Sequence, residues 1–571
     1  MLRIDMTRKR FETEDIPAPY FGLGGRALSS HVIAREVPPK ADPLGSENKL
    51  VFAAGIAAGT RVPNSGRLSV GAKSPLTNAV KEANVGGAAA QKLARLGIQA
   101  VVVEGCAPEP VIVKITKEGV KFMPAGAFQG MGNYGTVERL KTDNGDSAAI
   151  VSIGPAGELR LKAASVAVTT PDFQIRMAGR GGLGAVMGSK GLKALVIDDT
   201  GCGQVEVADR GKLKEAAAAL SKGIVSHGLV QGLKQLGTPL LVMAINGLGA
   251  LPTRNFSMGR FAAAEKISGE RLAELMKLRP NSRNAHRCME GCIIGCSNFL
   301  TDQEGKTIVS GLEYETLGLV GANCMIDDLD TIARINAVCN DAGVDTIDIG
   351  GALAMHMEAG LVAWGDGEAA LRLVEEIPKG SEKGMTVGNG CLFAGEVLGV
   401  KRIPQVKGQG MAAYDPRVLK GTGVTYATSP MGADHTCGNA LPSPANPAYN
   451  PSDPAGQGQM SQFLQTYFAA IDSIGLCLFA SVPTLDMPEL QRHLIDCISA
   501  IQGKQLEEDY FLRLGASVLR AEKTFNERAG LTKESDRLPR FFLEEPLSAS
   551  AGVFDVPQED IDAVHAAFKG V

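Results

Sequence analysis

Residues 176–190 read Arg176-Met-Ala-Gly179-Arg180-Gly181-Gly182-Leu-Gly184-Ala-Val-Met-Gly188-Ser-Lys190, with four glycines and two arginines in the first nine positions. Glycine backbone can present N–H groups to an anion, and a guanidinium group matches two phosphate oxygens. The order is not that of a Walker loop, and it is not a convincing dinucleotide fingerprint because no clear strand is predicted before it. A tight turn would need the same glycines for backbone reasons alone.

Two upstream segments have the same character. Pro63-Asn-Ser-Gly66-Arg67 leads into Lys73-Ser-Pro-Leu-Thr77, and Asn84-Val-Gly86-Gly87 follows shortly. Each segment alone is a weak signal. Together with the stretch 176–190, they give three segments that contain arginine, asparagine or glycine, and one large anionic cofactor would explain all three.

Composition limits the function classes. The chain has 571 residues, of which 44% are hydrophobic and 21% charged, with a net charge of −4. This predicts a globular protein of several domains without the basic face that nucleic-acid binding needs. No apolar run is long enough to span a membrane, and the charged N-terminus lacks the apolar core of a secretory signal. We therefore expect a cytoplasmic protein.

The organisation along the chain indicates an α+β fold. Short β-branched runs recur up to about residue 200, at Leu50–Ala53, Ala100–Glu104, Val111–Ile115, Ala149–Ile153 and Ala194–Ile197. Beyond Val207 the apolar spacing becomes helical, for example in Gly211–Lys222 and Gly269–Leu278. The Gly/Pro-rich stretch 379–420 divides this helical part in two.

Three cysteines form a compact motif, Cys288-Met-Glu-Gly-Cys292-Ile-Ile-Gly-Cys296. Thiolates suit iron–sulfur clusters and zinc, and both need about four ligands. Three inert cysteines on a buried helix face are the simpler explanation, but the two glycines inside the motif weaken it. Zinc is the competing metal for these cysteines because His286 lies nearby, although no histidine has the spacing of a zinc finger.

The fourth ligand has three candidates, Cys437, Cys477 and Cys497. Cys497 lies on the apolar face of a predicted helix that Asp486 would cap and Gly503 would end, so a core position fits it better. Cys477 follows the turn-like run Asp472-Ser-Ile-Gly475-Leu476 and is the better candidate.

The chain resembles the aldehyde:ferredoxin oxidoreductase family. The resemblance is carried by GRGGLGAVMGSKGLKAL (179–195), NKLVFAAGIAAGT (48–60), GRLSVGAKSPLTNAV (66–80), LEYET (312–316) and KTFNERAGLTKESDRLPRFF (523–542). It runs from about Tyr20 to Leu547. It implies a β-rich N-terminal domain, placed at 1–203, followed by two mainly α-helical domains, placed at 204–405 and 406–571, with the cofactor between them.

The resemblance implies three cofactors and two partners. A tungsten (or molybdenum) atom would be held by two pterins, Mg²⁺ would link the pterin phosphates, and a 4Fe-4S cluster would lie beside them. The substrate would be an aldehyde, and electrons would pass to ferredoxin or an iron–sulfur subunit. An oligomer is possible, although the E-x-x-H motif that bridges subunits in some relatives is not found here.

The family's contacts are carried residue by residue onto this sequence. The pterin and phosphate contacts fall on Arg67, Asn84, Gly86, Arg176, Met177, Gly179 and Arg180. The two D-x-x-G-L-(D/C) motifs add Asn340, Val344, Asp345, Asp472 and Leu476. The cluster ligands would be Cys288, Cys292, Cys296 and Cys477.

Several positions depart from the family pattern. The first two cysteines are spaced C-x-x-x-C rather than C-x-x-C, which changes the loop geometry. Asn340 replaces the leading Asp of the first motif. Met431 stands where an arginine is usual, and Cys437 where a lysine is usual, so pterin contacts on that side are expected to differ.

The resemblance names Glu313 and His435 as catalytic residues, with Glu315 as the rival acid. Read alone, Glu313 suits the first turn of a helix, and His435 suits a satisfied loop histidine. With the family, His435 would polarise an aldehyde carbonyl while the acid accepts a proton from water. Two alternatives remain: another redox reaction on the same scaffold, such as aromatic thioester reduction, and a zinc-stapled binding protein.

Overall fold

The computed structural model describes residues 1–568 and begins with two six-stranded sheets. The first has the order β2-β1-β6-β3-β4-β5 and the second β11-β10-β9-β12-β7-β8. The strands are Leu2–Asp5 (β1), Arg10–Thr13 (β2), Leu50–Ala54 (β3), Leu68–Lys73 (β4), Val80–Val85 (β5), Ala100–Glu104 (β6), Val111–Thr116 (β7), Gly119–Pro124 (β8), Ala149–Ser152 (β9), Val166–Thr169 (β10), Ile175–Ala178 (β11) and Leu192–Ile197 (β12). All five predicted strand runs are confirmed, with ends that shift by at most two residues.

The two sheets pack face to face. Successive side chains of a strand point to opposite faces, so each sheet has one face toward the other sheet and one face outward. Phe52 of β3 and Val113 of β7 belong to one core between the sheets. Val51 on the other face of β3 packs outward, and so does Ile150 of β9. Helices cover these outer faces. The N-terminal helices are Gly25–Glu36 (α1), Ala89–Arg95 (α2), Asn133–Asn144 (α3), Pro155–Glu158 (α4) and Leu183–Ser189 (α5).

The rest of the described chain is mainly helical. Its helices are Arg210–Ser226 (α6), Gly228–Leu236 (α7), Leu241–Leu248 (α8), Gly269–Leu278 (α9), Tyr314–Thr316 (α10), Leu329–Ala342 (α11), Thr346–Glu358 (α12), Gly367–Val374 (α13), Glu382–Gly388 (α14), Gly390–Val397 (α15), Lys420–Thr428 (α16), Gln457–Ile474 (α17), Leu478–Asp486 (α18), Pro488–Gln502 (α19), Tyr510–Ala529 (α20), Phe541–Glu544 (α21) and Gln558–Ala567 (α22). Its short strands are Arg283–His286 (β13), Ser297–Thr301 (β14), Thr307–Ser310 (β15), Gln405–Val406 (β16) and Gln409–Gly410 (β17). The α+β class with a β-rich first part is confirmed, whereas the boundaries at 203/204 and 405/406 remain predictions.

Two local expectations need correction. A strand, β11, does precede the glycine stretch, which runs from β11 through a loop into α5. Asp486 does not cap α19, because Met487 holds the N-cap position and the Asp486 carboxylate instead accepts a hydrogen bond from Ser443. Gly503 ends α19 in the left-handed conformation, as predicted.

The two D-x-x-G-L motifs have the same local structure. Each ends a helix on a left-handed glycine, Gly343 after α11 and Gly475 after α17. Each motif then binds the backbone of a loop in the β-rich part, since the Asp345 amide donates to the Ala163 carbonyl at 3.2 Å and the Arg67 amide donates to the Gly475 carbonyl at 3.2 Å. The two helical parts are thereby fastened to the β-rich part at two equivalent points.

No helix within residues 1–568 is long and apolar enough to cross a membrane.

Candidate active site

The four predicted cluster cysteines, Cys288, Cys292, Cys296 and Cys477, lie together, and we call them the thiol cluster. Burial raises the pKa of Cys288 to about 12, with further contributions from Cys292 and Cys477. Burial also raises the pKa of Cys296, and Glu313 and the other three thiols add to the effect. The four sulfurs are thus close enough to influence one another. A metal would have to displace the protons that these thiols hold.

The other fourth-ligand candidates lie elsewhere. Cys497 is fully buried in the helical core. Cys437 lies beside Asp434 and Arg26, and burial raises the pKa of its thiol to about 12. Among residues 1–568, no three His, Cys, Asp or Glu side chains are grouped tightly enough to hold a single metal ion.

The predicted phosphate-binding residues of the first segments lie against the thiol cluster. Arg67 binds both the side chain and the main-chain oxygen of Asn84. A Cβ on Gly86 would lie 2.7 Å from Cys288 Sγ and 3.4 Å from Arg67 Nη1, so only glycine lets this loop pass there. Burial, followed by the charge of Glu82, raises the pKa of Asp472 well above its usual range, and the charge of Arg67 offsets part of this increase.

Arg176 and Met177 lie in β11, and Arg176 reaches the small sheet β13–β15. Its Nη2 donates to Ser297 Oγ at 2.8 Å and lies 2.9 Å from His286 Nδ1. Its buried Nε has no partner within the described chain. Met177 pairs with Ala167 across the strands.

Arg180 is the centre of a second group of site residues. Its Nη2 donates to Asp434 Oδ1 at 2.6 Å and lies 3.2 Å from His435 Nδ1. Lys81 Nζ binds the other Asp434 oxygen at 2.5 Å. Burial alone would raise the pKa of Asp434, but Arg180 and Lys81 hold it well below its ordinary value. Gly179 begins this loop, and its carbonyl accepts from Ser165 Oγ at 2.6 Å.

His435 is neutral in this setting. Burial, with Arg180 next, lowers the pKa of His435 to about 3. A guanidinium can only donate, so Nδ1 facing Arg180 is the acceptor and Nε2 carries the hydrogen. Nε2 lies 3.2 Å from Glu315 Oε1, and both side chains retain an exposure of 16%, so neither is fully enclosed by the packed core.

Glu315, the rival acid, is therefore the carboxylate that the structure places beside His435. Its Oε2 accepts from the Ala413 amide at 2.9 Å, and its buried Oε1 has no aligned donor within the described chain. Burial raises the pKa of Glu315 to about 7. Glu313 instead accepts hydrogen bonds from Thr238 Oγ1 at 2.6 Å and Ser297 Oγ at 3.0 Å, near Cys296.

The first D-x-x-G-L motif adds an acidic wall near Arg180. Asp345 caps α12 by accepting from the Asp348 amide at 2.9 Å. Burial, followed by the charge of Asp345, raises the pKa of Asp348 to about 7. Val344 forms a bridge with Ala164, whereas Asn340 Nδ2 turns to the Tyr134 hydroxyl at 3.4 Å.

The second D-x-x-G-L motif lies between the thiol cluster and the group of residues around Arg180. Asp472 and Leu476 are carried by the end of α17 and the turn after it, and Leu476 is buried. The Asp472 carboxyl is influenced by Arg67 on the thiol side and by Asp434 on the His435 side. Arg26 Nη1 also lies 3.4 Å from Asp472 Oδ2. Every predicted site residue thus lies along one continuous region, with Asn340 at its margin.

Five buried polar atoms in this region have no hydrogen-bond partner within the described chain. They are buried in the described chain without a hydrogen bond, which normally costs about 1–3 kcal/mol each. The members near the site are Arg176 Nε, Glu315 Oε1, Asp348 Oδ2, Gln409 Oε1 and Tyr426 Oη. Together with the arginines and the close-packed glycine loop, they fit a large polar cofactor with anionic ends.

Sequence reasoning missed several residues of the site. Lys81, Asp434 and Asp348 carry charge around Arg180, but single charged residues give no distinctive pattern. Asn64 joins the cysteine segments and lies in the Pro-Asn-Ser-Gly turn, a signal that could have been followed. Met431, at a departure from the family, accepts the Glu82 N–H on its sulfur at 3.1 Å.

Comparison with known proteins places the chain in a class and then in a family. Residues 1–199 match the family described as "Aldehyde ferredoxin oxidoreductase, N-terminal domain", and residues 215–565 match "Aldehyde ferredoxin oxidoreductase, domains 2 & 3". The class is therefore that of oxidoreductases. Within it, the chain belongs to the aldehyde ferredoxin oxidoreductase family.

Individual relatives agree with this assignment. The chain is similar to the tungsten-containing aldehyde ferredoxin oxidoreductase of Pyrococcus horikoshii, with 37% identity over 92% of this chain and 88% of the relative. The protein of the same description from Pyrococcus abyssi is 36% identical over 96% and 91%. In fold, the chain is similar to the active-site complex BamBC of benzoyl coenzyme A reductase, with a TM-score of 0.81, 19% identity and coverage of 99% and 93%.

Proposed function

We propose that this protein oxidises aldehydes to carboxylic acids at a tungsten bis-pterin centre and passes the electrons through a 4Fe-4S cluster to ferredoxin or an iron–sulfur partner. The observation that carries the proposal is the arrangement of the site. Neutral His435 and the Glu315 carboxyl lie beside Arg180 and Asp434, and the thiol cluster lies beside Arg67. Asp472 is influenced by both Arg67 and Asp434 and so lies between the two groups. Relatives described as tungsten-containing enzymes support the choice of metal.

The chain offers holding groups for each part of the cofactor. Arg67, Arg176 and Arg180 would meet the anionic ends of the pterins, and the loops at Gly86 and Gly179 would let the cofactor approach the backbone. Asp345 and Asp472 would bind pterin N–H groups. Mg²⁺ would link the phosphates, with main-chain oxygens near Asn84 and Met177 as ligands. When bound, the metal would supply the two-electron acceptor that side chains lack.

The protein's own groups would handle the substrate and its proton. His435 Nε2–H would donate a hydrogen bond to the aldehyde oxygen and make the carbonyl carbon more electrophilic. A nearby carboxylate would accept a proton from water as the new C–O bond forms. The geometry favours Glu315 for this role, whereas Glu313 remains the prediction of the sequence. The balance is one aldehyde and one water giving one carboxylic acid, with protons released and two electrons removed.

Elemental analysis with an aldehyde screen tests the proposal. Protein purified without oxygen should contain iron, sulfide and tungsten or molybdenum, and it should reduce a viologen dye in the presence of aldehydes. Zinc in a colourless protein would support the zinc-stapled binding protein instead. Iron and tungsten without turnover of any aldehyde would favour another redox reaction on the same scaffold.

A further inference from the structure

One asparagine connects all the cysteine-bearing segments of the thiol cluster. Asn64 is fully buried and lies in the loop that follows β3. Its amide donates to the Gly291 carbonyl at 3.1 Å, and its carbonyl accepts from the Cys477 amide at 2.8 Å. The backbone of this single residue therefore bridges the three-cysteine loop and the fourth cysteine, which are far apart in sequence.

The side chain of Asn64 makes two further bonds to the same loop. Its Oδ1 accepts from the Ile293 amide at 3.1 Å. Its Nδ2 lies 3.4 Å from Cys292 Sγ and donates to it. Every polar group of Asn64 is thus used on the segments that carry the thiols.

The backbone conformation of Asn64 explains why asparagine suits this position. Its φ is +57°, in the left-handed region that favours glycine and tolerates asparagine better than most residues. Glycine would keep this turn but would lose both side-chain bonds. Asn64 therefore satisfies the left-handed backbone conformation and also supplies a hydrogen-bond donor to Cys292 Sγ.

We propose that Asn64 is a positioning residue that assembles the four thiols and raises the reduction potential of the cluster they hold through its Nδ2–H···Sγ bond to Cys292. The inference rests on the proposed function, because it needs the thiols to hold an iron–sulfur cluster. A hydrogen bond to a ligand sulfur withdraws electron density and stabilises the more negative, reduced cluster. Cys292 Sγ also accepts from the Gly295 amide at 3.4 Å, so removal of the Asn64 donor should lower the potential without abolishing all sulfur hydrogen bonds.

The test is a redox titration of the full-length protein, followed by the electron paramagnetic resonance signal of the reduced cluster. Asn64→Gly keeps the left-handed turn and removes the donor, and Asn64→Asp keeps an acceptor for the Ile293 amide and removes the donor. Asn78→Gly is the matched control, since Asn78 has a φ of +58° and lies exposed on another turn. At the wild-type midpoint potential, we expect the ratio of reduced to oxidised cluster to fall severalfold in both Asn64 variants and to stay unchanged in the control.

The outcomes separate this inference from the proposed function. Loss of iron from Asn64→Gly but not from Asn78→Gly would support the assembling role, and Asn64→Asp would then report on the potential. Wild-type iron content and an unchanged midpoint in Asn64→Gly would overturn the inference alone, because Asn64→Asp also adds a negative charge that lowers the potential by itself. A wild-type protein without an iron–sulfur cluster would overturn the proposed function and the inference together.

Discussion

At the scale of single residues, two acids that are two positions apart have different surroundings. Glu315 faces His435 and has an oxygen without an aligned donor, whereas both oxygens of Glu313 accept from hydroxyl groups. A carboxylate that must accept a proton needs a free oxygen directed at the substrate. Glu315 Oε1, which lies 3.2 Å from His435 Nε2 and has no aligned donor, meets that need, and the hydrogen-bonded Glu313 suits a supporting role beside Cys296.

A pair of isosteric substitutions decides between the two acids. We expect Glu315→Gln to lower kcat roughly 10²- to 10⁴-fold, because the amide cannot accept the proton. Glu313→Gln is the matched control and should keep much more of the activity. Both variants should retain wild-type metal content by elemental analysis. The reverse order of activities would restore Glu313 as the base.

The pKa of Glu315 also predicts a pH dependence. Burial raises this pKa to about 7, so the carboxyl is protonated and unable to accept a proton at lower pH. We expect kcat/KM to rise with pH through about 7 and then to level off. His435, whose pKa is lowered to about 3, should add no ionisation in this range. A profile that is flat between pH 5.5 and 8.5 (roughly one and a half units either side of that pKa) would contradict the assignment.

At the scale of secondary-structure elements, the end of α17 holds Cys477 against the first sheet. Gly55, which directly follows β3, lies so close that a Cβ on it would be 2.3 Å from Gly475 Cα. Such an overlap with backbone cannot be relieved by a side-chain movement. The packing of these two glycines therefore fixes the distance between Cys477 and the loop of Asn64.

Gly55→Ala should force these loops apart and weaken cluster binding. We expect a lower iron and sulfide content than in the wild type, together with a loss of stability of roughly 1–3 kcal/mol. Gly228→Ala, at the start of α7 where a Cβ meets nothing within 4 Å, is the control. Equal iron content in both variants would show that this contact does not position Cys477.

The hairpin β16–β17 is fastened to the C-terminal part by a buried carboxylate. Asp536 pairs with Lys407 at 2.6 Å, with Lys523 at 2.7 Å and with His565 of α22 at 2.6 Å. Lys407 lies in the hairpin turn, and the Gly410 amide of β17 donates to Asp348 at 3.0 Å. The hairpin β16–β17 and the C-terminal helix α22 thus contact the same buried carboxylate.

Asp536→Asn should destabilise the fold strongly. The substitution leaves two buried lysines without their counter-charge, which costs roughly 3–5 kcal/mol. The measurement is the urea midpoint of unfolding at neutral pH. Asp143→Asn, at an exposed position of α3, should leave the midpoint unchanged. A shift no larger than that of Asp143→Asn would refute the role given to Asp536.

At the scale of the whole molecule, the sequence predicted the order of elements better than their contacts. The short apolar run Leu50–Ala53 and the helical spacing of Gly269–Leu278 are local signals, and both elements form. The nearness of Cys477 to the other thiols depends on chain segments far apart. The residues alone made Cys477 the better of three candidates, and the resemblance then named it as the fourth ligand. The Asn64 bridge and the choice of Glu315 over Glu313 depend on side-chain orientation, which residue type and spacing do not specify.

The proposed function requires that the thiol cluster hold a 4Fe-4S cluster next to a metal–pterin centre. The most direct measurement is elemental analysis combined with electron paramagnetic resonance on the full-length protein purified without oxygen. We expect about four iron atoms per chain with matching sulfide, tungsten or molybdenum in the same preparation, and a reduced-cluster signal. Zinc as the bound metal, with no iron and no signal after reduction, would contradict it.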